Sequence, residues 1–105
     1  MSCTSGPLLE VDLLERRPAA VTLRVQGELD LATVSNLTAA LRPVIAEDLD
    51  IELDCAQLHF IDARGITALL AAQQQLNHGR ITISQPSRQV KRVLELCDLL
   101  DLVRP

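Results

Sequence analysis

Two short stretches of the sequence carry side chains that could do chemistry. Cys55 and His59 stand four residues apart and are the types of a thiol nucleophile and its base. A cysteine nucleophile also needs an orienting third group and an oxyanion site in a pocket, and the sequence suggests neither. The second stretch, DARG at residues 62–65, places a carboxylate directly before an apolar helical pattern. At that position Asp62 can accept the backbone N–H groups of a first helical turn.

Asp54 offers a third chemical interpretation, because it ends a strand-like alternation as the phosphorylated aspartate of a receiver domain does. Such a site also needs an acidic pair after the first strand and a suitably placed lysine, and Lys91 is the only lysine. We therefore predict no catalytic residue and no enzymatic activity. The sequence has three cysteines, an odd number, and no two of them have C-x-x-C spacing. Neither a disulfide framework nor a metal site is therefore expected.

The elements that position these residues are visible in the hydrophobic periodicity. Period-2 alternation predicts four strands, at residues 9–13, 21–26, 51–55 and 80–84, with a turn at 15–19 and Gly27 ending the second strand. Helical spacing predicts three helices, at residues 34–45 (capped by Asp30 or Thr33), 63–77 and 87–97. The inner side of the second should carry Ile66, Leu69, Leu70 and Leu76. Because every strand alternates, the sheet should carry helices on one face only. The short first turn predicts an antiparallel hairpin, and the two strand–helix–strand crossovers predict parallel neighbours.

Length and composition limit the possible folds and functions. The 105 residues suffice for a single core, and we assign residues 8–105 to one domain after a loose leader at residues 1–7. Phe60 is the only aromatic residue, so the rest of the core must be aliphatic, with Cys55 and Cys97 in or near it. Phe60 itself is expected to be the plug beneath the loop that precedes the second helix. The formal charge is -4 and the basic residues form no run, which argues against nucleic acid as a partner. No apolar run approaches the roughly 20 residues that span a bilayer, so we predict a cytoplasmic protein without membrane insertion.

Three segments together resemble one family. GELD at residues 27–30 follows a strand, FIDARGI at 60–66 enters a helix, and PSRQV at 86–90 precedes a helix rich in valine and leucine. In this order and spacing they resemble the STAS domains of bacterial anti-sigma factor antagonists, over about residues 8–103. The resemblance implies an α/β, STAS-like fold, with a mixed four- to five-stranded sheet and three or more helices on one face. It implies no cofactor.

The resemblance also implies a partner and a switch. In that family the stretch matching residues 62–65 usually reads Asp-Ser-Ser-Gly, and the serine before the glycine is phosphorylated by an anti-sigma factor of the histidine-kinase-like ATPase class. The unphosphorylated antagonist binds that anti-sigma factor and frees a sigma factor. Here Ala63 and Arg64 occupy the two hydroxyl positions, so the usual phosphate acceptor is missing at Arg64. We do not predict phosphorylation at this position.

Arg64 breaks a local preference, because a cation in the first turn of a helix opposes the helix macrodipole. Two interpretations stay open: Arg64 contacts an acidic patch or nucleotide phosphate on an ATPase partner, or it is a solvated surface arginine. Similarly, Glu28 and Asp30 form either an acidic rim beside the site or a solvated turn and helix cap. The predicted partner-binding residues are Asp62, Ala63, Arg64, Gly65, Ile66, Leu69, Glu28 and Asp30.

The predicted partner is an anti-sigma factor of the histidine-kinase-like ATPase class or another STAS or ATPase protein. Binding is expected through residues 62–70 and the loop at residues 27–30, with Gly65 leaving room for the partner's backbone. The alternative is an accessory STAS subunit that stabilises the ATPase of a lipid or anion transporter. Neighbouring genes for a kinase-like anti-sigma factor, or for a permease and ATPase, would separate the two.

Overall fold

The structure, a computed structural model, describes residues 9–104. The predicted leader at residues 1–7 lies outside them. Five strands, three α-helices and one short 3-10 turn follow one another, in the order β1 (Leu9–Arg17), β2 (Ala20–Leu29), α1 (Val34–Ala46), β3 (Asp50–Asp54), β4 (Leu58–Ile61), α2 (Ala63–Gln75), β5 (Ile81–Ser84), α3 (Arg88–Leu96) and η1 (Leu100–Leu102). No helix among the described residues is both long and apolar enough to span a membrane.

The sheet is mixed, as the hairpin and crossovers predict. Its strands lie in the order β1-β2-β3-β5, and β4 pairs with β2 off this path. β1 is antiparallel to β2, whereas β3, β4 and β5 run parallel to their neighbours. β2 pairs with β3 along Ala20 to Arg24 and with β4 along Gly27 to Leu29. The five-stranded mixed sheet agrees with the fold class expected from the resemblance.

Gly27 does not end the second strand, which is a correction to the sequence prediction. Its φ is 116°, a left-handed conformation that costs glycine nothing, and the register of β2 against β4 shifts between Gly27 and Glu28. The Gly27 N–H bonds to the carbonyl of Gln57 at 3.0 Å. The strand therefore continues through this irregularity to Leu29 and reaches the end of β4, a strand that periodicity did not reveal.

One face of the sheet is buried and the other is partly open. Along β2, Val21, Leu23 and Val25 are buried while the alternate residues are half-exposed, and β3 repeats this pattern. The helices pack on the buried face, which confirms the one-sided arrangement. The largest fully buried side chains are all aliphatic, as the shortage of aromatic residues requires, and burying each one stabilises the fold by about 1.5–3 kcal/mol.

Two residues expected in the core are not enclosed by it. Cys97 is exposed, because α3 ends at Leu96 and Asp98 turns the chain with a φ of 59°. Phe60 is only half-buried and is paired with Glu28 in the β2–β4 ladder. It therefore does not form a buried plug beneath the loop.

Candidate functional site

The ends of β2 and β4 lie side by side and bring two predicted segments together. Leu29 and Ile61 are partners in the parallel ladder, and the Asp62 N–H donates to the Leu29 carbonyl at 3.2 Å. The loop after β2 and the first turn of α2 therefore leave the sheet at the same edge. We call residues 28–31 and 62–64 the tip.

Asp62 is the N-cap of α2, as predicted. Its backbone is extended, and its Oδ1 accepts hydrogen bonds from the N–H groups of Arg64 at 2.9 Å and Gly65 at 3.2 Å. Replacing such a cap typically costs about 1 kcal/mol. The two bonds hold the first turn of α2 in one orientation, so the side chains of Ala63 and Arg64 project from a fixed backbone.

Ala63 and Arg64 are both exposed. The guanidinium of Arg64 takes part in none of the ion pairs found within residues 9–104. It stands in the first turn of α2, where the aligned peptide dipoles already place about half a positive charge. The arrangement is a projecting cation without an intramolecular counter-ion in the described chain, which suits a charge-assisted contact with a partner.

Gly65, Ile66 and Leu69 are buried, so the side chains of Ile66 and Leu69 pack inward and none of the three residues contributes to the exposed surface. The space beside Gly65 belongs to the core: an added Cβ would lie 2.7 Å from Cγ of Leu29 and 2.8 Å from Cγ1 of Ile61. The predicted reason for a glycine here, room for a partner's backbone, is replaced by close packing of α2 on the strand ends. These three residues position the tip.

The loop after β2 is braced by its own side chains. Asp30 Oδ1 accepts from the N–H groups of Ala32 at 3.0 Å and Thr33 at 3.2 Å, and the Thr33 hydroxyl donates to the Glu28 carbonyl at 2.7 Å. Thr33 is the N-cap residue of α1 but makes no side-chain cap bond. Asp30 thus serves the turn, and Glu28, half-exposed beside it, keeps an acidic side chain at the tip.

Two exposed leucines belong to this surface: Leu31, which the sequence interpretation missed, and Leu70, the last residue of the predicted binding stretch 62–70. Leu31, in the loop directly after Asp30, is 63% exposed, and Leu70 on α2 is 38% exposed. Leu70 was assigned to the inner side of its helix. An apolar residue between turn residues, as in Leu31, was the available signal. With Arg64, these leucines give the region the mixed apolar and charged character of protein-binding surfaces.

The alternative chemical sites lose support from the geometry. Burial in the core, with a contribution from Asp54, raises the pKa of the Cys55 thiol to about 12, so the thiol is protonated at neutral pH and a poor nucleophile. His59 is exposed. Asp54 Oδ1 accepts from the Ala56 N–H at 3.0 Å and closes a turn. Within residues 9–104, no group of three or more histidine, cysteine or acidic side chains is arranged to hold a metal ion.

Comparison with known proteins gives one family and a consistent set of folds. A family model described as Mlab, STAS domain, matches residues 13–104. The anti-sigma factor antagonist SpoIIAA in its unphosphorylated form is similar with a TM-score of 0.78 and 24% identity, over 90% of this chain and 86% of that one. An anti-sigma factor antagonist from Mycobacterium paratuberculosis is similar with a TM-score of 0.80 and 20% identity, over 100% of this chain and 91% of that one. Bacillus SpoIIAA in its phosphorylated form is similar with a TM-score of 0.70 and 23% identity, over 90% of this chain and 89% of that one.

Proposed function

The chain belongs to the STAS domain family, and we propose that it acts as an anti-sigma factor antagonist that binds its partner without a phosphorylation switch at the usual position. The partner is an anti-sigma factor of the histidine-kinase-like ATPase class, and binding takes place in the cytoplasm. The solved structures with a similar fold are named as anti-sigma factor antagonists, which supports the class of function. The chain contributes binding and no catalysis of its own.

The observation that carries the proposal is the exposed, rigid tip. Asp62 fixes the first turn of α2 through two backbone hydrogen bonds, and the adjacent loop is fixed by Asp30 and Thr33. A surface held in its bound conformation loses less entropy on association than a mobile one. Ala63, Arg64 and Leu31 are exposed on it, and together they supply a cation and apolar area.

Arg64 stands where the family resemblance implies a phosphorylated serine. A phosphate at this position would sit on a helix N-terminus and bring a charge of about -2 against the partner. An arginine brings a permanent positive charge, which pairs with a carboxylate or a phosphate of the partner. Ala63 also lacks a hydroxyl, so a kinase finds no acceptor at either residue. The complex should therefore persist in the presence of ATP.

A capture experiment with and without ATP tests this proposal. The wild-type chain should retain an ATPase-type anti-sigma factor from the native cell, and ATP should not release it. Arg64→Ser should become a substrate of the captured kinase and be released by ATP. As a matched control, Arg42→Ser changes an exposed arginine on α1 outside the tip and should behave as the wild type does. Stoichiometric phosphorylation of the wild type would contradict the proposal.

The same surface also fits the alternative partner, the ATPase of a lipid or anion transporter. The observation that favours it is again the absence of a hydroxyl at Ala63 and Arg64, because a permanent subunit needs no switch. Capture would then yield an ATPase together with a permease, in constant proportion to the chain, and no sigma-regulating protein. That result would replace the anti-sigma factor by a transporter as the partner and leave the tip as the binding surface.

A further inference from the structure

Helix α3 and the residues after it carry an unusual separation of charge. The positive side chains occupy its first half, and the negative ones lie at its end and just beyond it. All are exposed, and none takes part in an ion pair within residues 9–104. The positive residues are Arg88, Lys91 and Arg92, and the negative ones are Glu95, Asp98 and Asp101.

This separation runs against the preference of an isolated helix. The N-terminal end of a helix favours acidic side chains and the C-terminal end favours basic ones, but α3 has no acidic residue in its first turn and no basic residue in its last. Arg88 and Arg92, four positions apart, also repel each other across one turn. Lys91 and Glu95, also four positions apart, attract each other across one turn, although they form no ion pair among the described residues. The Ser87 Oγ accepts from the Val90 N–H at 3.3 Å. The charge pattern therefore gains little inside the described chain.

An exposed leucine interrupts the charges. Leu96 is 74% exposed, and Leu100, shortly after the helix, is 40% exposed. Residues four positions apart lie on the same side of a helix, so Leu96 continues the row formed by Arg88 and Arg92. Val90 and Leu94, by contrast, are fully buried on the opposite side. The outward face of α3 thus presents a cationic half followed by an acidic end, with the exposed Leu96 directly after Glu95.

We propose that this face binds the same face of a second copy of the chain, with the two α3 helices antiparallel across a two-fold axis. A two-fold interface uses one patch on both subunits and requires that patch to complement itself. In the antiparallel arrangement, Arg88 and Arg92 of one copy approach the acidic end of the other, and the reverse contacts form at the same time. Leu96 of each copy then lies beside Glu95, where the cationic half meets the acidic end.

A second copy complements this face better than other classes of partner. A nucleic acid or an anionic membrane would attract the cationic half but be repelled by Glu95, Asp98 and Asp101. The edge strand β1 also separates its charges, with acidic residues before basic ones, and exposes Leu14. Its charges, however, are already paired within the chain, Asp12 with Arg24 and Arg16 with Glu47, and a register shift after Leu13 disturbs its edge.

The size of α3 limits the strength of the dimer. A helix of nine residues is about 13.5 Å long, so the contact is well below the roughly 800 Å² that each partner buries in a standard interface. We expect a dissociation constant between about 10 μM and 1 mM. Because the contacts are exposed charges, the constant should rise at least about tenfold between roughly 20 mM and 500 mM salt.

Two complementary charge-reversal variants of the full chain test the proposal by sedimentation equilibrium. One makes the face predominantly acidic, Arg88→Glu with Arg92→Glu, and leaves Lys91 as its only cation. The other makes the face predominantly basic, Glu95→Lys with Asp101→Lys, and leaves Asp98 as its only anion. Each variant alone should be monomeric where the wild type dimerises, because like charges then face each other. An equimolar mixture should form a heterodimer at least as tight as the wild-type dimer. Circular dichroism should show that both variants keep the wild-type fold.

Single-residue variants complete the test. Leu96→Ser should raise the dissociation constant about tenfold, whereas Leu14→Ser, on the edge of β1, should leave it unchanged. A wild-type chain that stays monomeric at about 1 mM and low salt would overturn the proposal. So would variants that dimerise alone as well as the wild type does, a mixture that stays monomeric, or a dimer that depends on Leu14 and not on α3. None of these variants alters the tip, so partner capture through Arg64 is expected to persist in all of them.

Discussion

Replacing Arg64 by alanine should stabilise the domain while it weakens partner binding. The guanidinium is exposed and without an ion pair within residues 9–104, so its removal breaks no intramolecular salt bridge of the described chain. A first-turn cation costs about 0.3–1 kcal/mol against the helix macrodipole, and alanine has a slightly higher helix propensity than arginine. The expected gain in the free energy of unfolding is about 0.5–1 kcal/mol. For a domain of this size this raises Tm by about 2–8 °C.

Urea denaturation of the wild type and of Arg64→Ala, with unfolding followed by circular dichroism, measures this gain. The gain should be larger at low salt than at high salt, because exposed charges are screened. Arg42→Ala is the matched control: it removes an exposed arginine from the interior of α1 and should change stability by less than about 0.5 kcal/mol. If Arg64→Ala lowers the free energy of unfolding by 0.5 kcal/mol or more, on the order of a typical exposed contact, Arg64 supports the fold and the reasoning is refuted.

Further predictions concern the packing and the titrating groups. Gly65→Ala should lower the free energy of unfolding by about 1–3 kcal/mol, measured with urea, because the new Cβ would lie 2.7 Å from a core carbon; an unchanged value would show that α2 can shift. Hydrogen bonds from the Gly79 N–H and its neighbours lower the pKa of Asp48 from 3.8 to about 2, so its ionised form stabilises the fold above about pH 4 and this contribution is lost as the pH falls towards 2. Asp48→Asn should therefore lower Tm at pH 7, with a difference that shrinks below pH 4; a constant difference would contradict the cause. A thiol reagent should label Cys97 in the folded protein and Cys55 only on unfolding, as read from labelled peptides, and equal rates would refute the burial of Cys55.

The parts of the fold that periodicity predicted are those in which local pattern and burial agree. Burial alternates along β3, along β2 from Ala20 to Gln26, and along β5 from Ile81 to Ile83. Helix α2 begins at Ala63, directly after its N-cap Asp62. β4 was not predicted because its four residues are too few to establish a period. Its pairing with β2 depends on the positive φ of Gly27. Gly27 is some thirty residues away in the sequence, so the local pattern of residues 58–61 carries no sign of this pairing.

The errors at helix ends and on helix faces have a similar origin. Cys97 continues the apolar spacing of α3, but the helix stops one residue earlier, and the thiol is left outside. Leu70 was expected on the inner side of α2, yet it is 38% exposed. Helical spacing determines which residues share a side of the helix. Which leucines are covered depends on how far the neighbouring elements extend, and tertiary packing decides that.

The position of the candidate site in the chain was predictable from the sequence, but the roles of its residues were only partly predictable. Asp62, Ala63 and Arg64 lie at an exposed helix start, as their types and order indicate, and the loop with Glu28 and Asp30 lies beside them. The role of Gly65 was not predictable, because the atoms that fill its space belong to Leu29 and Ile61. Those residues are far apart in sequence and meet only through the parallel pairing of β2 and β4.

The affinity of the purified partner for three versions of the chain tests the central claim most directly. By calorimetry at low salt, Arg64→Glu should raise the dissociation constant at least about tenfold, a loss of about 1.4 kcal/mol or more. Arg42→Glu, with the same change in charge on α1, should leave it within about twofold of the wild type. Wild-type affinity for Arg64→Glu, or an equal loss for both variants, would show that the first turn of α2 is not where the partner binds.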